Sequence, residues 1–334
     1  MHIINKRIFF RVDGDHGVDS GLGHLNRVLK IYNYLKKKNN KYKFFFIIKK
    51  KHIAIKILKE LKVKIYIYNK IFLTKKIFKP GDLVIIDTLG SEKLFVRFIK
   101  KHQFIKVISF DELRVGFHKI GTVINGILFT KKILKKKKNI YQGLKYLLLD
   151  NKFKKKIKPT KNNNILITSG GSDKKNFIYK ILKILIPLKL FNIKYHVVIG
   201  KGFLNDNKIF KFLNKKDIVF HKDLKNLKTI MDKCNYLITS GGTVMFEAIS
   251  TGRIVFSSQT YINQKYNINY FKKKNLIYYI GRVESIKKKY LEDKIKFYMQ
   301  DNNKKKIENR FYKKRSLIDG KGFDRIIKII EKEL

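Results

Sequence analysis

The sequence SGLGH at residues 20–24 places a histidine in a turn that contains two glycines. Glycine lets a backbone approach a ligand closely, and the start of a following helix offers free N–H groups to an anion. A histidine at such a turn can act as a general base near neutral pH. From its position alone, His24 could equally be a loop histidine that caps the helix.

This first turn does not match the two commonest phosphate-binding patterns. Asn26 stands where a dinucleotide-binding G-x-G-x-x-G pattern needs its third glycine, and no G-K-[ST] follows as in a P-loop. The turn therefore predicts neither a dinucleotide cofactor nor a P-loop nucleotide site.

Two further glycine turns, SGGSD at 169–173 and SGGT at 240–243, each follow an apolar run that is typical of a strand. Small residues, hydroxyls and free N–H groups make such turns places where a phosphate could dock. One such turn is common in any α/β protein, but two in corresponding loops of one domain indicate a shared ligand. The candidate phosphate-binding residues are Gly170, Gly171, Ser240, Gly241, Gly242 and Thr243.

Several carboxylates lie close to these turns in the sequence. Asp87 and Asp111 each end an apolar run, so either could orient His24 or bind sugar hydroxyls, and capping of the next helix explains them equally well. Glu247 follows the third turn by about one helical turn and could accept hydrogen bonds from a ribose diol, although a solvated glutamate is the simpler interpretation. Asp13 opens an acidic loop that lacks the ligand pattern of a calcium loop, which predicts a hydrated turn and no metal site.

The charge of the chain is strongly positive, with 78 Lys and Arg against 25 Asp and Glu. Most of these cations are lysines, whereas nucleic-acid readers favour arginine for bidentate contacts. We interpret the charge as a property of the whole surface and predict no nucleic-acid partner. A weak attraction to anionic membrane surfaces remains open.

The sequence also bears on the compartment of the protein. Cys234 is the single cysteine, which excludes a disulfide framework and a cysteine-based zinc site and favours a reducing cytoplasmic location. The short apolar stretch near the N-terminus includes Arg11 and predicts a first strand and not a signal peptide. No apolar run reaches the roughly 18 residues of a membrane span.

Strand-like and helix-like segments alternate along both halves of the chain, which predicts parallel, doubly wound sheets. The predicted strands are 7–12, 44–48, 63–68, 83–87, 105–110, 165–168, 195–199, 218–220, 236–239 and 254–257. The predicted helices are 25–38, 53–61, 92–102, 176–188, 224–233, 244–251, 262–273 and a last amphipathic helix after Gly320.

A lysine-rich segment with Pro159 interrupts this alternation and indicates a linker. The sequence therefore predicts an N-terminal Rossmann-like domain over 1–153, a linker over 154–164 and a second domain over 165–318. The last segment, 319–334, is expected to be a helix that crosses back to the N-terminal domain.

The motifs converge on one family. Arg11 and Asp13 followed by GLGHLNR at 21–27 resemble the R-x-D…G-x-G-H-x-x-R start of the group that contains the UDP-2,4-diacetamido-2,4,6-trideoxy-β-L-altropyranose hydrolases of pseudaminic acid synthesis and the spore-coat polysaccharide proteins. Further matches are IID at 85–87, SFDE at 109–112, SGGSD at 169–173 and SGGTVMFEAISTG at 240–252. The last segment, with Gln264 and Asn267, is also similar to the donor site of the UDP-GlcNAc transferase that makes lipid II.

The resemblance covers nearly the whole chain and implies a GT-B fold of the α/β class, in which two Rossmann-like, doubly wound domains turn their parallel sheets toward a central cleft. It implies His24 as the catalytic base, a UDP-sugar as the substrate, a monomer, and neither metal nor cofactor. It implies substrate contacts from Asp13, Gly23, Asp87, Asp111 and Asn267. It implies nucleotide contacts from Gly170, Gly171, Ser240, Gly241, Gly242, Thr243, Glu247 and Gln264.

Two enzymatic functions follow from this resemblance. The favoured one is hydrolysis of a UDP-linked diacetamido-trideoxyhexose to UDP and free sugar in nonulosonic acid biosynthesis, with His24 activating water. The alternative is an inverting glycosyltransferase that uses a UDP-sugar for surface polysaccharide synthesis. Thr88-Leu89 stands where the hydrolases have His-Tyr, which favours the spore-coat branch. A non-enzymatic nucleic-acid-binding protein, whose binding would depend steeply on salt, is disfavoured by the ordered motifs.

Overall fold

The computed structural model divides the chain into two compact units, Met1–Leu148 with Gly322–Leu334 and Leu149–Lys321. The first boundary therefore lies at 148, whereas the sequence places the end of the N-terminal domain at 153. The residues that the structure describes are 6–13, 23–49, 52–69, 72, 76–88, 93–110, 119–126, 138–154, 163–173, 175–200, 203, 207–222, 224, 226–300, 309, 312–313 and 317–334.

The N-terminal unit contains a seven-stranded parallel sheet in the order β3-β2-β1-β4-β5-β6-β7. Its strands are β1 Arg7–Val12, β2 Lys43–Ile48, β3 Lys64–Ile67, β4 Leu83–Asp87, β5 Lys106–Phe110, β6 Thr122–Asn125 and β7 Ile140–Gln142. The central strands are apolar on both faces because helices cover both sides of a parallel sheet.

The helices of this unit are α1 Gly23–Lys38, α2 His52–Glu60, α3 Lys93–Lys100 and, at the end of the chain, α10 Gly322–Glu333. On one face of the sheet, α1 and α10 share a core cluster that includes Val28, Ile31, Ile326 and Ile330. Helix α3 contributes to the cluster on the opposite face. A Cβ on Gly322 would lie 1.9 Å from the carbonyl oxygen of Leu147, so only glycine permits the approach of α10.

The C-terminal unit repeats this architecture with the strand order β10-β9-β8-β11-β12-β13-β14, in which all neighbours are parallel except β13 and β14. Its strands are β8 Ile165–Thr168, β9 Tyr195–Ile199, β10 Ile218–Lys222, β11 Tyr236–Ser240, β12 Ile254–Gln259, β13 Tyr278–Arg282 and β14 Ser285–Ile286. Its helices are α4 Phe177–Leu185, α5 Asn207–Phe210, α6 Lys228–Met231, α7 Thr243–Ser250, α8 Lys265–Lys273 and α9 Lys288–Met299.

The two sheets reverse their strand order at equivalent places, between β1 and β4 and between β8 and β11. In open α/β sheets, ligands bind beyond the carboxyl ends of the strands at such switch points. At these ends Val12 pairs with Asp87 in the first sheet, and Thr168 pairs with Thr239 in the second. Three of the predicted site segments therefore lie at the carboxyl ends of the strands beside the two switch points.

The prediction of two parallel α/β Rossmann-like domains is confirmed. The sequence patterns do not predict β6, β7, β13 or β14, which are only two to five residues long, or the helices α5 and α9. In α9, lysines separate the buried Leu291, Ile295 and Tyr298. The predicted helix 224–233 is longer than the helix observed there, which is α6 Lys228–Met231. Among the described residues, no helix is both long enough and apolar enough to cross a membrane.

Candidate functional site

A hydrogen-bonded cluster of three charged or titratable side chains lies at the switch point of the N-terminal sheet. Asp87 ends β4, and His24 and Arg27 come from the first turns of α1. Nδ1 of His24 lies 2.6 Å from Oδ1 of Asp87. Arg27 donates to both oxygens of the same carboxylate, from Nε to Oδ2 and from Nη2 to Oδ1, each at 2.5 Å.

Asp87 is completely buried, yet the pKa of its carboxyl group is lowered and not raised. Burial alone would raise the pKa of this carboxyl, but the Arg27 charge, the His24 ring and their hydrogen bonds oppose it and lower the pKa to about 2. The carboxylate is therefore ionised at neutral pH and can only accept hydrogen bonds.

The ionised carboxylate decides which nitrogen of His24 carries the proton. Because Asp87 can only accept, Nδ1 must donate to it, and in the neutral ring this leaves the lone pair on Nε2. The His24 side chain is 18% exposed, so the ring is held but not enclosed. This arrangement suits a general base whose orientation a carboxylate fixes.

Asp13 lies next to this cluster in the sheet, but both of its carboxylate oxygens already accept hydrogen bonds from Arg11. Arg11 donates from Nη1 to Oδ1 of Asp13 at 2.5 Å and from Nη2 to Oδ2 at 3.0 Å. The Arg11 side chain is buried and lies over the ring of Tyr68, 4.5 Å from its centroid. The backbone N–H of Lys49 donates to Oδ1 of Asp13 at 3.4 Å. The pair thus ties the end of β1 to β2.

Two predicted residues complete the N-terminal set. Gly23 is the first residue of α1, and a Cβ there would meet no atom of the described residues within 4 Å. Asp111 lies outside the described residues, as do residues 14–22 of the first glycine turn.

The glycine turn after β8 is shaped by its own backbone and by its neighbours. Gly170 has a φ of +93°, which favours glycine, and its N–H donates to Oγ1 of Thr168 at 3.2 Å. A Cβ on Gly200 would lie 2.3 Å from the carbonyl oxygen of Gly170 and 2.8 Å from that of Gly171. The turn therefore packs directly on the end of β9.

Asp173, the last residue of SGGSD, has a structural role in this turn. Its two carboxylate oxygens accept from the backbone N–H groups of Phe177 and Ile178 at 2.8 Å each. These are free N–H groups at the start of α4, and a carboxylate is their preferred partner. The motif thus combines a glycine turn with the cap of the helix that follows it.

The glycine turn after β11 is linked to the first one. Oγ of Ser240 donates to the carbonyl oxygen of Ser169 at 3.0 Å. A Cβ on Gly241 would lie 2.6 Å from Cδ1 of Ile268, so α8 packs tightly against this turn. Helix α7 begins at Thr243, and its N-cap residue Gly242 makes no side-chain capping hydrogen bond. The structure thus brings together the two turns that the sequence singled out.

The amide of Gln264 is held toward the second turn. Its Oε1 accepts from the backbone N–H groups of Thr260 at 2.9 Å and Tyr261 at 3.3 Å. Its Nε2 is on the side of the amide that faces the glycine turn, 3.9 Å from where a Cβ on Gly242 would be. Asn267, one turn later on α8, is buried, and its Oδ1 has no hydrogen-bond partner among the described residues.

Glu247 lies on α7 and is only 8% exposed, so the interpretation as a solvated glutamate is wrong. Its neighbours Ala248 and Ile249 are buried as well, because α7 packs on the sheet along most of its length. The carboxylate is therefore buried on the helix that starts at the glycine turn.

Sequence reasoning assigned no role to two residues that shape these sites. Arg27 belongs to the GLGHLNR motif, and its position three residues after His24 predicts that both side chains lie on one helix face. Gly200 carried no signal, because its role depends on the approach of a turn that is distant in sequence. Across the described parts of the chain, no three His, Cys, Asp or Glu side chains form a group that could hold a metal.

Comparison with curated proteins finds two relatives, while no family model matches the chain. The chain is 33% identical over 282 residues to the uncharacterized protein MJ1062 of Methanocaldococcus jannaschii, a match that covers 78% of the chain but only 57% of that relative. It is 26% identical over 257 residues to the spore coat polysaccharide biosynthesis protein SpsG of Bacillus subtilis, which covers 71% of the chain and 73% of SpsG.

Solved structures resemble the chain over nearly its whole length. MurG of Acinetobacter baumannii has a TM-score of 0.66 at 12% identity, covering 98% of the chain and 99% of MurG. The calicheamicin glycosyltransferase CalG4 has a TM-score of 0.64 at 10% identity, covering 99% of each chain. MnaA of S. aureus, solved with UDP, has a TM-score of 0.56 at 14% identity, covering 98% of the chain and 96% of MnaA. At these identities the likeness shows a GT-B fold.

Proposed function

We propose that this chain is a nucleotide-sugar-dependent glycosyltransferase in which His24 is the catalytic base. The observation that carries the proposal is the geometry at the end of β4, where a buried, ionised Asp87 orients the His24 ring and leaves Nε2 as the basic nitrogen. The GT-B fold and the spore-coat relative favour transfer over the hydrolysis that the sequence motifs favoured.

The proposed reaction is a single displacement. Nε2 of His24 takes the proton of an acceptor hydroxyl while the oxygen attacks the anomeric carbon of the donor sugar. The bond between that carbon and the phosphate oxygen breaks, and the nucleoside diphosphate leaves with the electron pair. Attack opposite the leaving group inverts the configuration. Asp87 stabilises the positive charge that His24 gains.

The C-terminal unit is proposed to hold the donor nucleotide. In the two linked turns the N–H groups of Gly170 and Gly241 already donate to Oγ1 of Thr168 and to the carbonyl oxygen of Ser258, so Gly171 and Gly242 are the proposed backbone donors. The start of α7 at Thr243 places the positive end of a helix dipole at the same turn. Both features stabilise a diphosphate as its negative charge grows during departure. Within this proposal Gly170, Gly171, Gly241 and Gly242 line the diphosphate, and Ser240 joins the two turns.

Side chains around these turns are proposed to complete the donor site. Glu247 accepts the ribose hydroxyls, and Nε2 of Gln264 donates to the diphosphate or the sugar beside Gly242. Asn267 remains a sugar contact in this proposal because its buried Oδ1 has no partner among the described residues. A uridine nucleotide is the proposed donor, since a structural neighbour was solved with UDP.

The N-terminal carboxylates divide into two proposed roles. Asp87 orients His24, one of the two roles that the sequence left open for it, and both its oxygens accept hydrogen bonds from protein groups. Asp13 accepts from Arg11 with both oxygens, so we propose that it shapes the end of β1 and does not bind sugar directly. Gly23 and Asp111 stay proposed substrate contacts.

Hydrolysis of a UDP-linked diacetamido-trideoxyhexose is the second candidate. The ordered motifs that begin with Arg11, Asp13 and GLGHLNR at 21–27 favour it, because they resemble the hydrolase pattern. The same base would then activate water, and the products would be UDP and a free sugar. A nonulosonic acid pathway would be its setting.

The experiment that tests both candidates measures UDP release from a panel of UDP-amino sugars, including the diacetamido-trideoxyhexoses, with and without glycan acceptors. Release that requires an acceptor and yields a new glycosidic bond is the expected result. Fast release of UDP and free sugar without any acceptor would establish the hydrolase instead. No release and no binding of UDP under any condition would overturn the proposed function as a whole.

A further inference from the structure

A cavity of about 250 Å³ lies between helix α4, the β13–β14 hairpin and the start of α9 in the C-terminal unit. None of the described residues that line it belongs to the two glycine turns or to α7 and α8, which form the proposed donor site. A water molecule occupies about 30 Å³, so the cavity has room for about eight waters or for one small organic molecule. It is therefore a second candidate binding site in the same unit.

One wall of the cavity is apolar. It consists of Ile184 on α4, Val283 between the two strands of the hairpin, and Ile286 on β14. Val283 is completely buried and Ile184 is 8% exposed, and both belong to the core cluster of the unit, so the core behind it holds this wall in place. An apolar wall favours a ligand that buries an apolar body of its own.

Three lysines, Lys180, Lys183 and Lys288, make up most of the remaining lining. Nζ of Lys180 donates to the carbonyl oxygen of Val283 at 3.1 Å, which holds this ammonium group at the apolar wall and uses one of its three N–H groups. Lys183 and Lys288 are exposed, and Lys288 is the first residue of α9, where the helix dipole also favours an anion.

The nearby carboxylates do not cancel this positive charge. Glu284 also lines the cavity, but its Oε1 lies 2.6 Å from Nζ of a further lysine, Lys175. Glu292 lies 3.8 Å from Nζ of Lys288, which is too far for a hydrogen bond, and the Lys288 side chain is 66% exposed, so this pair contributes little. Four lysines thus stand against two glutamates, which leaves two positive charges in excess.

We propose that this cavity binds a small organic phosphate, with the phosphate group at the three lysines and an apolar body against the wall of Ile184, Val283 and Ile286. A phosphate monoester carries nearly two negative charges at neutral pH, which match the excess of two, whereas a carboxylate would balance only half of it. Lysine binds phosphate as a point charge and needs no bidentate geometry. The inference goes beyond the proposed function and does not depend on it, because no proposed donor-site residue takes part.

The first test uses phenyl phosphate, which joins a phosphate monoester to a small apolar ring. Added to the full chain labelled at its isoleucine δ1 methyl groups, it should shift the NMR signals of Ile184 and Ile286 saturably, and Ile184→Val and Ile286→Val assign these signals. Inorganic phosphate lacks the apolar body and should bind about tenfold more weakly, while phenol lacks the charge and should cause no saturable shift. Signals that stay unchanged at millimolar phenyl phosphate would overturn the proposal.

Lysine variants separate this cavity from the positive surface as a whole. Lys183→Gln and Lys288→Gln change exposed residues and should each weaken phenyl phosphate binding by about fivefold. Lys296→Gln, at an exposed position of the same helix α9 and outside the described lining, removes the same charge and should leave the affinity unchanged. An equal loss in all three variants would show a general attraction to the basic surface and would contradict a site in the cavity.

The methyl group of Ile268 distinguishes this cavity from the proposed donor site. Its Cδ1 lies 2.6 Å from where a Cβ on Gly241 would be, so it reports on the second glycine turn. Phenyl phosphate should shift Ile184 and Ile286 whether or not UDP is present. A shift of Ile268 alone would place the phosphate at the glycine turn and overturn the cavity proposal, whereas a failure of UDP to bind would count against the proposed function only.

Such a phosphate could come from a soluble ester or from the headgroup of phosphatidic acid in a bilayer. Sedimentation with phosphatidylcholine vesicles that contain or lack phosphatidic acid separates the two sources. Vesicle binding that requires phosphatidic acid and is lost in the double variant Lys183→Gln/Lys288→Gln would assign the headgroup. Phenyl phosphate binding without such vesicle binding would assign a soluble ester. If the double variant bound phenyl phosphate as tightly as the wild type, the lysines would not form the site and the proposal would be wrong.

Discussion

The two switch points share one topology but differ in the chemistry of their side chains. At the end of β4 the structure brings together a carboxylate, an imidazole and a guanidinium, with a second Arg–Asp pair on β1 beside them. At the ends of β8 and β11 the corresponding turns consist of glycines, serines and threonine, with the amide of Gln264 beside them. The carboxylate of Asp173 in these turns is used to cap α4.

Under the proposed function, this difference corresponds to a division of labour between the two switch points. Moving a proton requires a titratable group whose protonation state is set by nearby charges, and such a cluster tolerates burial only when its charges are balanced. Holding a diphosphate requires many weak donors at fixed positions and little else, which glycine turns and a helix start provide. The same Rossmann-like framework thus supports two kinds of site, one at each sheet edge.

Among the variants that test this comparison, Asp87→Asn is expected to have the largest effect, which is a loss of turnover. The amide can donate to Nδ1, so the ring would adopt the wrong tautomer, and turnover should fall by about 10³ to 10⁴. Affinity for UDP should stay within about twofold of the wild type, since the substitution lies in the N-terminal unit. Steady-state kinetics and calorimetry measure the two quantities.

Asp82→Asn is the matched control for this prediction, because Asp82 is also buried and paired with an arginine, Arg7, at the other end of the same sheet. It should leave turnover nearly unchanged. Full activity in Asp87→Asn would show that the carboxylate does not orient a catalytic base.

The second largest effect is expected on UDP binding at the proposed donor site of the C-terminal unit. Glu247→Ala should weaken UDP binding by about 10- to 100-fold, because a buried carboxylate that accepts two ribose hydroxyls contributes about 1.5 to 3 kcal/mol. Titration calorimetry with UDP measures it, and Glu292→Ala, at a half-buried glutamate of α9, is the control. Equal UDP affinity in the wild type and Glu247→Ala would remove this residue from the site.

The sequence predicts those features of the two sites that depend on residues close together in the chain, and it does not predict contacts between distant residues. The glycine turns, the strand-end Asp87 and the helix that starts at Gly23 are local patterns, and the parallel sheets follow from their alternation with helices. The bidentate ion pair between Arg27 and Asp87 joins residues 60 positions apart, so the spacing of residues in the sequence does not predict it. The same holds for Gly200, whose need for a missing Cβ arises only when β8 and β9 pair.

The third prediction compares adjacent glycines in the C-terminal turn. A Cβ in Gly241→Ala would lie 2.6 Å from Cδ1 of Ile268 and 3.0 Å from Cβ of Gln264, so α8 or the turn must shift. We expect a loss of about 1 to 3 kcal/mol in the free energy of unfolding, together with weaker UDP binding.

Gly242→Ala separates the two effects. The nearest atom to a Cβ there is Oγ of Ser240 at 3.7 Å, so stability should hardly change. If a diphosphate lies against this backbone, UDP affinity should still fall, by about tenfold. Thermal unfolding and calorimetry on both variants measure this. Unchanged UDP affinity in Gly242→Ala would contradict docking at this turn.

The smallest expected effect is the loss of folding stability at acid pH. Burial, the neighbouring His221 and nearby lysines lower the pKa of His196 to about 4 in the C-terminal unit. The folded state thus binds fewer protons than the unfolded chain, so stability is complete above about pH 6.5 and falls as the pH drops toward 4. Asp87, with its pKa lowered to about 2, contributes stability above about pH 4 that is lost only between pH 4 and 2.

The C-terminal unit should therefore be weakened first in acid, by about 2 kcal/mol between pH 7 and pH 5. Hydrogen exchange resolved by residue should show faster exchange in β9 and β10 at pH 5, where Nδ1 of His196 lies 3.0 Å from Nε2 of His221. His196→Phe should remove most of this dependence. If the amides of β1 and β4 instead lost their protection from hydrogen exchange at a higher pH than those of β9 and β10, the N-terminal unit would be the one weakened first by acid.

The division of labour is tested most directly by titrating UDP into the wild type and His24→Ala. Our account predicts that the two proteins bind UDP with affinities within about twofold of each other, while His24→Ala loses its turnover. A UDP affinity that falls together with turnover would show that the histidine holds the nucleotide, and would contradict the assignment of the base to one sheet edge and the nucleotide to the other.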